Sequence, residues 1–111
     1  GNDSSGDFND VYNSVDGNSW SVVTLSASWS GRRGHGSVVY NNKMWVIGGW
    51  AFGQPYKNDM WSSTDGATWS GKSTNFPVRA FFGSVVHNGK IWVVGGKNTT
   101  GLLNDVWCYS E

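Results

Sequence analysis

The chain has 111 residues, and its eight basic and eight acidic side chains balance to a formal net charge of zero. This balance excludes the strongly basic surface by which proteins bind nucleic acids or anionic membranes, and no apolar run approaches the roughly 18 residues of a membrane span. Leu and Glu are scarce, whereas Gly, Ser and Val are abundant, so strand and turn formers dominate over helix formers. The composition therefore predicts an all-β protein.

Residues 1–31 predict the last two strands of a four-stranded unit. The third strand of that unit begins at Asn9-Asp10. A tight turn at Asp16-Gly17 leads to the fourth strand, which is predicted to carry Trp20.

Residues 32–78 predict one complete unit. Its first two strands are joined at Asn41-Asn42, and the second strand, Lys43–Ile47, is apolar on both faces, so both faces must be covered. Gly48-Gly49 is predicted to end this strand. The third strand begins at Asn58-Asp59, and a second Asp-Gly turn leads to the fourth strand with Trp69.

Residues 79–111 repeat the first three strands. The segment Gly36–Gly49 recurs as Gly83–Gly96, an offset of 47 residues, and the Asn-Asp pair at residue 9 returns at residues 58 and 104. Two units therefore take 95 residues, and the chain holds about 2.3 units. Antiparallel four-stranded units of about 45–50 residues that are buried on both faces are typical of propeller blades. A two-layer sandwich would not need the same turns and Gly-Gly pair at a fixed period.

These residues resemble the kelch repeat. An arginine precedes the first strand, Gly-Gly closes the second, and tryptophans follow in the later strands: Arg32 and Arg79, Gly48-Gly49 and Gly95-Gly96, Trp61, Trp69 and Trp107. The first unit has Gly34-His35 after its arginines, as the family often does, whereas the second departs with Phe81-Phe82. The Ser-x-Asp-Gly-x-x-Trp stretches also resemble a shortened Asp-box, which is a structural hairpin.

The resemblance implies a ring of six or seven blades, more than this chain can supply. We therefore expect self-association, in which a blade begun by one chain is completed by the next, as a head-to-tail ring. Three chains of two blades would give six blades, so a trimer is favoured. The alternative is that the chain is a structural fragment of a larger propeller and has no site of its own.

The resemblance implies that three arginines, Arg32, Arg33 and Arg79, lie near the channel mouth, where they would offer hydrogen bonds to carboxylates or sugar hydroxyls. His35 is a further candidate ligand-binding residue. The alternative is that each arginine pairs with an aspartate of the framework. Aromatic residues of the loop after the second strand, Trp50, Phe52 and Tyr56, could stack on a sugar or seat a peptide. They could equally fill a seam between chains.

Catalysis has little support from the sequence. The two histidines are not at equivalent positions, the aspartates repeat as framework residues would, and no metal-ligand set or cofactor motif is present. We predict a non-enzymatic binding or scaffolding module with a protein or carbohydrate ligand, without nucleic-acid or membrane partners, metal or cofactor. A sugar-acting enzyme of the sialic-acid type is the alternative, but the channel glutamate that it would need is missing.

Cys108 is the only cysteine and does not decide the compartment, and we favour an extracellular or periplasmic location.

Overall fold

Eleven β-strands and no helix make up the structure, a computed structural model that describes residues 1–111. The predicted all-β class is thus confirmed. All strand pairs are antiparallel, and they form four sheets that follow one another along the chain. No helix that could cross a membrane is present.

The N-terminal segment holds two small sheets. Strands β1 (Asn2–Asp3) and β2 (Gly6–Asp7) form a hairpin, and β3 (Val11–Asn13) pairs with β4 (Ser21–Thr24). The β1–β2 hairpin was not predicted, because two-residue strands leave no hydrophobic pattern in a sequence.

The central sheet is four-stranded, in the order β5 (Gly36–Tyr40), β6 (Lys43–Gly49), β7 (Lys57–Ser63) and β8 (Ser70–Lys72). Asn41 and Asn42, between β5 and β6, have φ values of 53° and 59°. Two successive positive φ angles are those of a tight hairpin turn, as the sequence predicted.

The last sheet is three-stranded, in the order β9 (Gly83–His87), β10 (Lys90–Asn98) and β11 (Gly101–Tyr109). The Gly-Gly pair was predicted to end the second strand. This is confirmed for β6, which ends at Gly49, but β10 continues past Gly95-Gly96. Gly95 takes a φ of 64°, and the pairing register shifts between Val94 and Gly96. For β10 the prediction was wrong, because the ladder resumes beyond the bulge at the glycine.

The sheets stack, and their shared core covers both faces of β6. Trp45 and Ile47 face the β9–β11 sheet, and Val46 faces the β3–β4 sheet. The first core cluster consists of Trp45, Ile47, Met60, Phe76, Ile91 and Val93. The second consists of Ala27, Trp29, Val46 and Trp69. A strand that is apolar on both sides is therefore covered on both sides, which is the arrangement of stacked blades.

Two copies of the Ser-x-Asp-Gly turn have the same internal hydrogen bonds and different surroundings. In each copy the Asp Oδ1 accepts two backbone N–H groups, and the Trp Nε1 donates to the glycine carbonyl, at 2.8 Å for Trp69 and 3.1 Å for Trp20. Both tryptophans directly precede their strands rather than lying within them, which corrects their predicted position. Trp69 is 8% exposed, whereas Trp20 is 60% exposed. The turn is thus locally determined, and only Trp69 contributes to a core.

This contrast gives a direct test of the core. Trp69→Ala removes a buried ring and is expected to lower the free energy of unfolding by about 3–5 kcal/mol. Trp20→Ala removes the same ring from an exposed copy of the same turn, so its cost should stay below about 1 kcal/mol. Urea denaturation of the two variants measures both values, and equal losses would contradict the assignment of Trp69 alone to the core.

Candidate functional site

An aromatic cluster lies on the loop between β6 and β7. The rings of Trp50 and Tyr56 are stacked, with centroids 6.0 Å apart and planes 29° apart. Phe52 meets Trp50 edge-on at 6.1 Å and is 79% exposed. The exposed Phe52 ring therefore leaves an apolar surface open to solvent beside the stacked pair.

Arg33 joins this cluster from the strand-entry segment before β5. Its guanidinium carbon lies 5.3 Å from the Trp50 ring centroid, a cation–π distance. The backbones of Arg33 and Trp50 also exchange two hydrogen bonds, of 2.7 and 2.9 Å. The backbone pairing places the guanidinium over the ring, so Arg33 and the loop form one unit.

Asp7 of β2 holds the other side of Arg33. The Arg33 Nε donates to the Asp7 Oδ1 at 2.6 Å, and the Phe52 backbone N–H donates to the Asp7 Oδ2 at 3.1 Å. The hydrogen bond from Arg33 lowers the pKa of Asp7, so this carboxylate stays ionised. The terminal N–H groups of Arg33 have no protein partner, and they remain free to bind an acceptor.

The next unit has no such cluster. Ala80 takes the place of Arg33, and Lys97 takes the place of Trp50, with the same backbone pairing between them. The Lys97 ammonium lies 5.3 Å from the ring of Phe81 instead. The repeat thus keeps the backbone pairing and changes the side chains on this surface.

The structure places Arg32 and Arg79 in the interior, away from this cluster. Both are fully buried, and each pairs in a bidentate manner with an aspartate of its own sheet. Arg32 bonds Asp59 at 2.7 and 3.0 Å, and Arg79 bonds Asp105 at 2.7 and 2.8 Å. A ligand at the surface would not reach these guanidinium groups. This is the framework alternative that the sequence left open.

The two aspartates of these pairs are also held by tryptophan. Trp61 Nε1 donates to Asp59 at 2.9 Å, and Trp107 Nε1 donates to Asp105 at 2.8 Å. Burial acts to raise the pKa of Asp59, but the hydrogen bonds from Arg32 and Trp61 outweigh it and lower that pKa. The hydrogen bonds from Arg79 and then Trp107 hold the pKa of Asp105 far below its usual range. Both aspartates are therefore ionised at neutral pH.

His35 lies apart from the aromatic cluster, in an open cavity of about 640 Å³ that we call the seam pocket. This cavity lies between β3 and the β5–β6 hairpin, and Asp10, Tyr12, Trp29, His35, Met44 and Trp69 are among the residues that line it. Burial lowers the pKa of His35 to about 4, and the positive charges of the Gly1 amine and Arg32 act in the same direction. The imidazole is therefore neutral at physiological pH.

Of the seven residues predicted as ligand-binding, the structure brings together Arg33, Trp50, Phe52 and Tyr56, and it separates Arg32, Arg79 and His35 from them. Sequence reasoning missed Asp7, although an acidic residue where the other units have Tyr56 and Leu102 was a visible departure from the repeat. No set of three or more His, Cys, Asp or Glu side chains lies close enough to hold a metal ion.

His35 makes the fold sensitive to mild acid. The unfolded chain binds a proton at His35 near pH 6.5, whereas the folded chain binds it only near pH 4. The unfolded state therefore holds more protons in this window, and the free energy of unfolding should fall by about 2 kcal/mol as the pH drops through it. Urea denaturation at several pH values measures this slope. His35→Phe, which copies Phe82 of the next unit, should remove the slope between about pH 7 and about pH 5, which lies above the range where aspartates of the unfolded chain bind protons. A slope that persists there in this variant would contradict its assignment to His35.

Comparison with known proteins agrees with this architecture. No curated protein matches the chain significantly. The family model of the kelch motif matches the chain twice, over residues 31–62 and 79–111, which together make up more than half of its length. Propellers of this family commonly serve as protein-binding modules and are generally not enzymes. Each match begins at or just before a buried arginine and includes the first three strands of a sheet. The chain therefore belongs to the kelch-repeat family.

Proposed function

We propose that this chain is a non-enzymatic binding and scaffolding module whose sheets complete a propeller ring by self-association. The observation that carries this proposal is the outer face of the last sheet. Val94 and Val106 stand opposite each other on β10 and β11, and they are 45% and 57% exposed. At the repeat-equivalent positions of the central sheet, Ile47 and Met60 are fully buried.

The interface inside the chain provides a template for this association. Trp45, Ile47 and Met60 of the central sheet pack against Ile91 and Val93 of the last sheet. The outer face of the last sheet offers the same positions again as Trp92, Val94 and Val106. A further sheet that packed there would bury the same kind of surface by the same hydrophobic effect.

The repeat length supports a ring of three chains. Two units take 95 residues, from Asn9 to Asn104, and three such chains supply six blades. We propose the division of the chain into a partial blade of residues 1–31, a complete unit of residues 32–78, and the first three strands of a further unit in residues 79–111. In a head-to-tail ring the partial blades at the two ends complete one another.

A second candidate function, carbohydrate binding, is favoured by the aromatic cluster. Stacked rings such as Trp50 and Tyr56 suit the flat apolar face of a pyranose, while a guanidinium suits a carboxylate or hydroxyl. Arg33 has free N–H groups beside those rings, and Asp7 fixes its orientation. An acidic sugar matches this chemistry best, and a surface of a partner protein that carries a carboxylate is the alternative ligand.

A sugar-acting enzyme has less support from the geometry. Arg32 and Arg79 are committed to Asp59 and Asp105, and the one glutamate, Glu111, forms surface ion pairs with Lys43 and Lys72. These residues do not supply a convergent acid, base and guanidinium at one open site. The structural-fragment alternative is decided by the behaviour of the chain in solution.

Self-association is tested by light scattering coupled to size exclusion, from about 1 to about 100 μM. We expect a discrete trimer. Val94→Asp places a charge on the open face, so it should abolish the trimer while the single chain stays folded. Val15→Asp is the matched control, because Val15 is fully exposed, and it should leave the mass unchanged. A well-folded wild-type monomer at all concentrations would overturn the ring and support the fragment.

Ligand binding is tested by NMR titration with N-acetylneuraminic acid and, separately, with a neutral methyl pyranoside. We expect the acidic sugar to shift the indole N–H signal of Trp50. Trp50→Ala should weaken binding by about 5- to 13-fold, because a stacked ring contributes on the order of 1–1.5 kcal/mol. In this variant binding is followed by the backbone N–H signal of Phe52, which the variant keeps. Lys97→Ala is the matched control at the equivalent position of the next unit. Equal responses to both sugars would exclude a role for Arg33, and no response to either would leave a protein partner as the ligand.

A further inference from the structure

Three aspartates occupy equivalent positions in the repeat, and only Asp10 lacks an arginine. Asp59 and Asp105 each accept two guanidinium hydrogen bonds of 2.7–3.0 Å. Asp10 forms no ion pair within 4 Å and accepts no hydrogen bond. Tyr12 stands where a tryptophan donates to the aspartate in the other two units. Two of the three aspartates therefore have an arginine partner, and the third has none.

Asp10 is also on the wall of the seam pocket, where it can be approached. It immediately precedes β3, and β3 pairs with β4 alone. The equivalent strand of the central sheet, β7, has a neighbour on both sides. The edge of β3 that is left unpaired has backbone N–H and C=O groups available to another strand.

Two buried polar atoms of the same pocket also lack partners. They are the Nε1 of Trp29, a residue only 5% exposed, and the Nδ1 of His35. At the equivalent positions of the closed interface inside the chain stand Phe76 and Phe82, which carry no polar side-chain atoms. A buried polar group without a hydrogen-bond partner destabilises the fold. The seam pocket therefore needs hydrogen-bond partners that the closed interface does not need.

We propose that the seam pocket receives an arginine on a strand pair of a second copy of this chain, namely Arg79 with β9 and β10. In this exchange the β3 of one copy replaces the β11 of the other beside β10. Val11 of β3 then takes the repeat-equivalent position of Val106 opposite Val94, so the outer face keeps its apolar residues. Arg79 then gives up its two hydrogen bonds to its own Asp105 and makes two to the partner's Asp10. The number of charged hydrogen bonds is conserved, and the proposal rests on the self-association described above.

The repeat explains why the second copy fits this pocket. Residues 1–16 are equivalent to residues 96–111 at an offset of 95, so β3 and β11 both occupy the third-strand position. The strand pair that belongs before a third strand is β9–β10, and Arg79 precedes it by four residues. The segment from Arg79 to β10 meets both requirements. Its arginine lies four residues before the first strand, and its own third strand, β11, has an equivalent in the β3 of a second copy.

The experiment compares Asp105→Ala, Asp10→Ala and the double variant by thermal unfolding and light scattering at about 1 and about 100 μM. In Asp105→Ala the buried Arg79 has lost its own partner, so exchange onto Asp10 of a second copy is favoured. Its Tm should rise by at least about 4 °C over this concentration range. The double variant should lose this rise, since neither aspartate is left to accept Arg79.

Asp10→Ala alone should weaken association by about 30-fold or more, because it removes one partner of a charged, buried pair. Asp3→Ala is the matched control, since it removes a carboxylate from the same segment and affects only a turn. If Asp10→Ala assembles as tightly as wild type, the arginine site is overturned while self-association stands. If wild type stays monomeric and the Tm of Asp105→Ala does not depend on concentration, both proposals are overturned.

Discussion

Burial of both faces of β6 is the constraint on which the rest of the structure depends. Trp45 and Ile47 point to one side of the strand and Val46 to the other, and all three are buried. A single sheet leaves one side of such a strand in water, so sheets must stack on both sides of it. The same requirement applies to β10, whose inner residues Ile91 and Val93 are covered and whose outer residue Val94 is not. This imbalance is the basis of the proposed self-association.

The buried Arg–Asp pairs serve a different purpose in the same scaffold. They connect the segment that enters the first strand with the third strand of the same sheet, as Arg32 does with Asp59. Charges buried in this way must remain paired, because an unpaired buried charge is strongly destabilising. The pairing therefore fixes the entry segment to its sheet. Asp10, which has no arginine partner, marks the one third strand of the chain whose entry segment is missing.

Residues that depart from the repeat are the ones that form the candidate sites. Trp50, Tyr56 and Arg33 have no counterparts of the same kind in the next unit, and they form one surface together with Asp7. His35 replaces a phenylalanine and brings an unpartnered nitrogen into the seam pocket. Repeated residues carry the framework, because each unit must solve the same packing problem, whereas unrepeated residues are free to differ in function.

The sequence by itself determined the strand order, the turns and the pairing of sheets into stacked units. Local chemistry decides these features: the φ preferences of Asn41 and Asn42, the side-chain bonds of the Ser-x-Asp-Gly turns, and the apolar pattern of β6. Only the tertiary structure decided which members of identical motifs are buried. Trp20 and Trp69 have the same local sequence but different exposure, and Arg32 and Arg33 are adjacent but face the core and the surface. The burial of each of these side chains depends on whether another sheet packs against it. The residues of that other sheet lie elsewhere in the sequence, so the local motif does not determine the burial.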